Sequence, residues 1–234
     1  IIAEIILLEN PINFIFSSSC TVYGQADSMP INESFPLKKA ESPYGESKKM
    51  CEEILKKLNN SNHSFKNITL RYFNPIGAHP TGLIGELPIG TPENLVPYIT
   101  QTAIGKRDFL SVFGDNYKTK DGTCIRDYIN IMDLAEVHIA CLEKLIAVED
   151  ENFFKIYNVG TGKGTSVFEL INLFENVNDI KLNYKIGDRR KGDVISAYAD
   201  TTKIKEELSW STKYSLENAL KSAWNWELNL NKDE

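Results

Sequence analysis

The segment NFIFSSSC (13–20) constrains the fold most, because an apolar strand runs straight into three serines and a helix-periodic stretch follows. Asn13–Ser17 reads as the strand, and a Ser/Gly/Pro-rich loop leads to Pro43. From Tyr44 to Asn60, Cys51, Ile54, Leu55 and Leu58 recur at i, i+3, i+4 and i+7, which predicts a helix with those four on its buried face. NITLRYFN (67–74) reads as the next strand, and a short helix over about 1–9 precedes the first. Helix, strand, helix, strand with short connections predicts an α/β fold: a mainly parallel sheet with helices on both faces.

From Pro75 to Pro97 the composition shifts to five prolines and four glycines, a long loop of the kind that serves function or joins domains. Beyond it, periodicity predicts helices near 94–105, 132–147, 166–177, 201–208 and 215–230. Strands are expected at 110–113, 125–130, 154–159 and 182–186. No internal repeat is visible, which excludes a solenoid.

Composition removes several function classes. With 42% hydrophobic and 25% charged residues, the 234-residue chain can bury a sizeable core. Its net charge of −6 argues against a general nucleic-acid or anionic-membrane binder, so an anionic ligand needs a local basic pocket. The cysteines Cys20, Cys51, Cys124 and Cys141 form no CxxC pair, which favours a reducing, cytoplasmic setting over a disulfide framework. His63, His79 and His138 show no metal-ligand spacing, so no metal is expected. The opening run IIAEIILLENPINFIF carries Glu4 and Glu9 and is broken by Pro11; it suits neither a membrane span nor a signal peptide. It reads as the second half of a buried helix, so the chain is expected to begin inside a longer protein.

Four motifs invite chemical readings. YNVGTGKGTS (157–166) matches neither GxGxxG nor the P-loop, and a tight strand-to-helix turn is the simpler account. RDYIN (126–130) and DRRKGD (188–193) are solvated basic faces by default, yet in an acidic chain their arginines are the best phosphate-holding forks. FSSSCTVYG (16–24) is a polar turn by default, but it also sets hydroxyls at a strand end, where open α/β sheets bind ligands. In SPYGESKK (42–49), Tyr44 and Lys48 lie four residues apart, a rotation of about 400° that puts both on one helix face. A phenol near pKa 10 is a poor base at neutral pH, and a neighbouring ammonium stabilises its anion. YxxxK alone is common; with Ser19 25 residues earlier it becomes a Ser/Tyr/Lys constellation.

These stretches, with LRYFNPIGAHPTGLIGE, NLVPYI, VFGDNY, DGTCIRDYI and DLAEVHI, make the chain resemble the extended short-chain dehydrogenase/reductases, and among them the UDP-glucose 4-epimerases, over nearly its whole length. The resemblance implies a Rossmann-like parallel sheet plus a smaller α/β substrate-binding domain. Residues 1–74 would be the C-terminal part of the NAD-binding domain and 75–234 the UDP-sugar-binding domain, with segments near 128–160 returning to the first. It implies NAD as cofactor, a UDP-hexose as substrate, and a homodimer when full length, paired through helices near Tyr44 to Asn60. Tyr44 would be the catalytic base, Lys48 would bind the nicotinamide ribose and tune Tyr44, and Ser19 would hydrogen-bond the reacting hydroxyl. Tyr72 and Phe73 would line the nicotinamide. Asn74, Asn94, Leu95, Phe113, Arg126, Arg190 and Asp193 would bind the nucleotide sugar, with Arg126 and Arg190 on the diphosphate.

In such an enzyme the base removes the sugar 4-OH proton while the cofactor takes the C4 hydride; the 4-keto sugar turns over and hydride returns to its other face. Firm diphosphate binding and loose hexose binding are both required, because a tightly held ring could not turn. The sequence departs from the family at two points. The glycine-rich fingerprint that cradles the pyrophosphate is absent, together with about three βα units of roughly 30 residues each. Expressed as written, the chain is therefore expected to bind NAD poorly and to lack epimerase turnover. In DVISAYAD, Ala197 stands where the family faces the sugar C2 substituent with a bulkier residue, which opens the pocket to N-acetylhexosamines. A nucleotide-sugar 4,6-dehydratase would need acids directly after the strand-end hydroxyl, where this chain has Cys20 and Thr21. A nucleotide-sugar decarboxylase or uronic-acid epimerase, a non-catalytic dinucleotide sensor and an inactive fragment stay open.

Overall fold

In the computed structural model, which describes residues 12–61 and 64–232, the run Ile12–Ser19 is a strand, β1. The helix expected over 1–9 lies outside the described residues. β1 pairs in parallel with β2 (Phe65–Tyr72), and β2 pairs in parallel with β7 (Phe154–Val159), giving the order β1-β2-β7. A parallel pair needs a crossover, and the helix α1 (Pro43–Ser61) supplies the one between β1 and β2. Phe65, Ile68, Leu70, Tyr157 and Val159 are buried, as strands covered on both faces demand.

The other elements, in chain order, are β3 (Asn74–Ile76), α2 (Leu95–Ala103), β4 (Leu110–Phe113), β5 (Ile125–Arg126), β6 (Tyr128–Asn130) and α3 (Ile131–Ala147). After β7 come β8 (Thr165–Ser166), α4 (Val167–Asn178), β9 (Tyr184–Gly187), β10 (Ser196–Ala197), α5 (Thr202–Leu208) and α6 (Leu216–Leu230). The strand expected over 67–74 is interrupted at Phe73: the Phe73 amide donates to Val159 O at 3.0 Å, whereas that of Asn74 donates to Asp127 O at 2.9 Å. The ladder partner changes there, so one strand ends and another starts. Asp127 divides the strand expected over 125–130 in the same way.

The chain forms two compact units. One comprises residues up to Phe73, Ala135–Gly162 and Ala197–Ser211; the other comprises Asn74–Leu134, Lys163–Ser196 and the residues from Thr212 on. The return at Ala197–Ser211 is absent from the sequence expectation. In the first unit, α5 closes the β7 edge: Tyr157 donates to Glu207 Oε2 at 2.8 Å and Lys203 Nζ donates to Ile156 O at 2.8 Å. In the second, β3 pairs with β6 and β4 with β9 in parallel, and β5 pairs with β8 antiparallel. Val96, Ile99, Leu170, Phe174 and Leu220 form its core between α2, α4 and α6. α4 starts in a capping box: the Glu169 amide donates to Ser166 Oγ and the Ser166 amide to the Glu169 carboxylate. The proline-rich loop is fastened to α6 by Trp226 Nε1 donating to Glu86 O and Asn229 Nδ2 donating to Gly82 O, both at 2.9 Å. A Cβ on Gly85 would lie 2.4 Å from the Trp226 ring, so that position admits only glycine unless the ring moves.

α1 corrects one expectation. Its buried residues are Gly45, Glu52, Leu55 and Asn59; Cys51 and Ile54 are exposed, the latter at 48%, beside Met50 at 57%. The buried face is held by polar groups, so apolar spacing points about a quarter-turn away from it. Asn59 Nδ2 donates to Phe65 O at 2.8 Å, and the Glu52 carboxylate receives Arg71 through Nε at 3.0 Å and through Nη2. Both charged side chains are nearly inaccessible, at 5% and 4%. Burial opposes the Arg71 charge, yet the hydrogen bonds and charge of Glu52 hold its pKa above the usual arginine value. The pair is matched rather than merely stabilising. Arg71→Met alone strands the Glu52 carboxylate, and urea unfolding should show a loss of about 3–5 kcal/mol.

Candidate active site

Of the residues expected to act, Ser19, Tyr44, Lys48, Tyr72, Phe73 and Ala197 belong to the first unit, and Asn74, Asn94, Leu95, Phe113, Arg126, Arg190 and Asp193 to the second. Each group is built by its own unit.

In the first unit the C-terminal ends of β1 and β2 converge with the start of α1. Pro43 opens α1, where a missing amide proton is harmless, and Tyr44 follows with 55% of its surface exposed. Lys48, one turn on, places Nζ 5.5 Å from the Tyr44 ring centroid and 5.2 Å from that of Phe16. The same ammonium donates to Ser17 O at 2.8 Å. Phenol and ammonium are therefore neighbours, with the lysine tied to the strand that carries Ser19.

Ser19 ends β1 and caps the 3-10 turn Cys20–Tyr23; its Oγ accepts from Thr21 N at 3.2 Å and from Thr21 Oγ1 at 3.0 Å. Among the described residues its own hydroxyl proton meets no acceptor. Tyr72, opposite Ser19 in register, donates to Ser17 Oγ at 2.8 Å and meets His138 Nε2 at 2.6 Å. Burial raises the Tyr72 pKa against the opposing bond from Ser17, so this phenol stays protonated at neutral pH. Phe73 is buried beside it. Ala197 is buried in β10. Ser17, Phe16 and His138 take part in this cluster without having been singled out. Ser17 lay in the serine run and His138 in DLAEVHI, but nothing local links His138 to Tyr72, 66 residues away.

In the second unit Phe113, Arg126, Arg190 and Asp193 come together. Arg190 lies over the Phe113 ring at 4.8 Å and reaches Asp193 through Nε at 3.0 Å and Nη2 at 3.2 Å. Arg126 approaches Asp193 at 3.6 Å and donates through Nη1 to Ile125 O and Val194 O. Two guanidiniums share one carboxylate, which leaves a local excess of positive charge suited to a diphosphate. Asn94 precedes Leu95 at the start of α2 and donates through Nδ2 to Glu86 Oε1 at 2.7 Å. The buried Oδ1 of Asn74 has no hydrogen-bond partner among the described residues. An orphaned buried acceptor costs about 1–3 kcal/mol, and a ligand donor would relieve it.

A hydroxyl, a phenol and an ammonium suit the hydroxyl-bearing nicotinamide ribose end of a dinucleotide, whereas no glycine-rich turn in this sequence suits its pyrophosphate. No group of three or more His, Cys, Asp or Glu among the described residues is arranged to hold a metal ion. No helix among them is long and apolar enough to cross a membrane.

Residues 2–223 match the family model for GDP-mannose 4,6 dehydratase. The chain is 49% identical over 215 residues to the UDP-glucose 4-epimerase of Pasteurella multocida, covering 92% of this chain and 63% of that protein. It is similar to the crystal structure of UDP-glucose 4-epimerase from Stenotrophomonas maltophila with bound NAD and formylated UDP-arabinopyranose, at a TM-score of 0.90 and 40% identity, covering 94% of this chain and 64% of that one. It is also similar to the enzyme from Bifidobacterium longum in complex with NAD+ and UDP, at a TM-score of 0.88 and 40% identity over the same shares. The chain thus spans less than two thirds of the length of these relatives.

Proposed function

The chain belongs to the GDP-mannose 4,6 dehydratase family, and on that premise we propose that the protein interconverts UDP-glucose and UDP-galactose at C4 through a 4-keto sugar, with NAD as cofactor, in galactose metabolism. The observation that carries this is Lys48: one ammonium is held by the carbonyl of Ser17 and set beside the Tyr44 ring, at the strand end that carries Ser19. That is the arrangement a phenolic base requires.

NAD, when bound, supplies the hydride acceptor and returns the hydride. Tyr44 removes the proton from the sugar 4-OH and gives one back. Ser19 donates its free hydroxyl proton to the reacting oxygen, and Lys48 stabilises the phenolate and holds the nicotinamide ribose. Tyr72 and Phe73 line the nicotinamide. Arg126 and Arg190 grip the diphosphate, Phe113 and Leu95 flank the nucleotide, and Asn74, Asn94 and Asp193 take its polar groups. The orphaned Asn74 Oδ1 and the half-exposed Arg190 side chain support that half of the reading. The dehydration for which the family model is named needs an acid beside the strand-end hydroxyl; Cys20 and Thr21 supply none. Four free cysteines agree with a cytoplasmic setting.

The test is a coupled assay of the polypeptide as the cell makes it. With UDP-galactose it should turn over, and Tyr44→Phe should lower kcat by about 10²–10⁴-fold with little change in UDP affinity; an unaffected variant would remove Tyr44 from the mechanism. In this reading Ala197 faces the sugar C2 substituent, where its small side chain would admit an acetamido group, so UDP-N-acetylglucosamine should also be accepted. Ala197→Tyr should abolish that activity while sparing UDP-glucose, and an unchanged ratio would refute the pocket assignment. The exposed Met50, Cys51 and Ile54 on α1 support a homodimer through this helix. Light scattering should then give twice the chain mass, and Ile54→Glu should return the protein to a monomer.

A further inference from the structure

Glu52 and Arg71 lie one step beneath the proposed centre, and nothing in the chemistry above uses them. Tyr44, Lys48 and Glu52 follow one another at four-residue intervals on α1, so rigid helix joins the three with a drift of about 40° per step. On the sheet, Ser18, Arg71 and Asn158 are direct cross-strand neighbours in β1, β2 and β7, each one residue before the register of Ser19, Tyr72 and Val159. All three are buried.

Their side chains form one connected row. The Ser18 hydroxyl donates to Glu52 Oε1, and Arg71 grips both carboxylate oxygens. Arg71 Nη1 donates to the Tyr23 hydroxyl at 2.9 Å, which donates to Asn158 Oδ1 at 2.7 Å. Asn158 Nδ2 donates to Ile31 O at 2.8 Å. Tyr23 ends the 3-10 turn that Ser19 caps. One guanidinium is therefore bonded both to the helix that carries Tyr44 and Lys48 and to the turn that begins at Ser19.

A buried ion pair seldom stabilises a fold more than well-packed apolar groups of the same volume would. A planar fork on a carboxylate does demand one geometry. Sliding α1 by one turn would carry Glu52 about 5.4 Å from the fork and leave two charges unmatched. The Lys48 bond to Ser17 O depends on the same register.

We propose that Glu52 and Arg71 are positioning residues for the reaction: their buried pair sets the register of α1 against β1 and β2, and so the placement of Tyr44 and Lys48 relative to Ser19. The proposal rests on the roles given to those three residues above.

The double variant E52L/R71M removes both charges and keeps the volume, and R71K keeps the charge but loses the fork. Measured in the polypeptide as the cell makes it, the double variant should melt above Arg71→Met alone, since no buried charge is stranded, and keep its KM for UDP-galactose within about twofold. Its kcat should fall about 100-fold, as expected when reacting groups shift by about an ångström, and R71K should fall between. A folded double variant with wild-type kcat overturns the proposal. Should the double variant fail to fold, wild-type kcat in R71K overturns it instead. A second readout needs no turnover: fluorine NMR of 3-fluorotyrosine-labelled protein, with the Tyr44 line assigned by Tyr44→Phe. That line should move or broaden in R71K and in the double variant, and an unmoved line overturns the proposal. A line that moves in a protein whose wild type turns over no UDP-galactose would sustain the positioning role and sink the functional reading alone.

Discussion

The carboxylate of Glu52 meets the guanidinium of Arg71 where water is excluded, and the first unit is arranged around that contact. Two charges taken out of water must find each other and must have every remaining donor and acceptor used. Ser18, Tyr23 and Asn158 use them, and in doing so they tie three strands, one helix and one turn together at a single level. The layer above that level holds Ser19, Tyr72 and the first turn of α1. The ends of β1 and β2 thus rest on a floor whose buried charges are matched.

The second unit treats charge in the opposite way. Arg126 and Arg190 lean on a single carboxylate, Asp193, and Arg190 keeps half its surface in water. The cluster is incompletely neutralised and Arg190 stays accessible above a mostly covered Arg126 and Asp193, whereas the Glu52–Arg71 pair is matched and sealed. The contrast is one of burial: the first pair is closed off from water, and Arg190 keeps its donors in reach of it. Asn74 differs from both, leaving a buried acceptor rather than a donor unmet.

Much of the fold was legible because its strands are apolar runs and its longer helices carry clear periodicity. β1, β2, β7, α3, α4 and α6 fall within a few residues of where the pattern puts them. The failures share one cause. Apolar spacing put Cys51 and Ile54 inside α1, but polar residues anchor that helix, and hydrophobicity says nothing about a carboxylate buried by an arginine 19 residues away. Phe73 and Asp127 end their strands because the neighbouring ladder changes partner, a fact that exists only in three dimensions. The Tyr44 and Lys48 pair was readable because four residues on a helix fix adjacency locally. The contacts of Tyr72 with Ser17 and His138 were not, since they span 55 and 66 residues.

The order of residues by itself determined the strand and helix alternation, the pairing of Tyr44 with Lys48, the serine at a strand end and the arginine-rich stretches, because each depends on local periodicity or composition. Tertiary structure alone decided which face of α1 is buried, that Lys48 is held by Ser17, that Asp193 gathers Arg126, Arg190 and the ring-stacked Phe113, and that Glu52 and Arg71 seal a common floor. Those outcomes depend on burial and on long-range partners, and a charge's pairing or orphanhood is set only when the chain has closed around it.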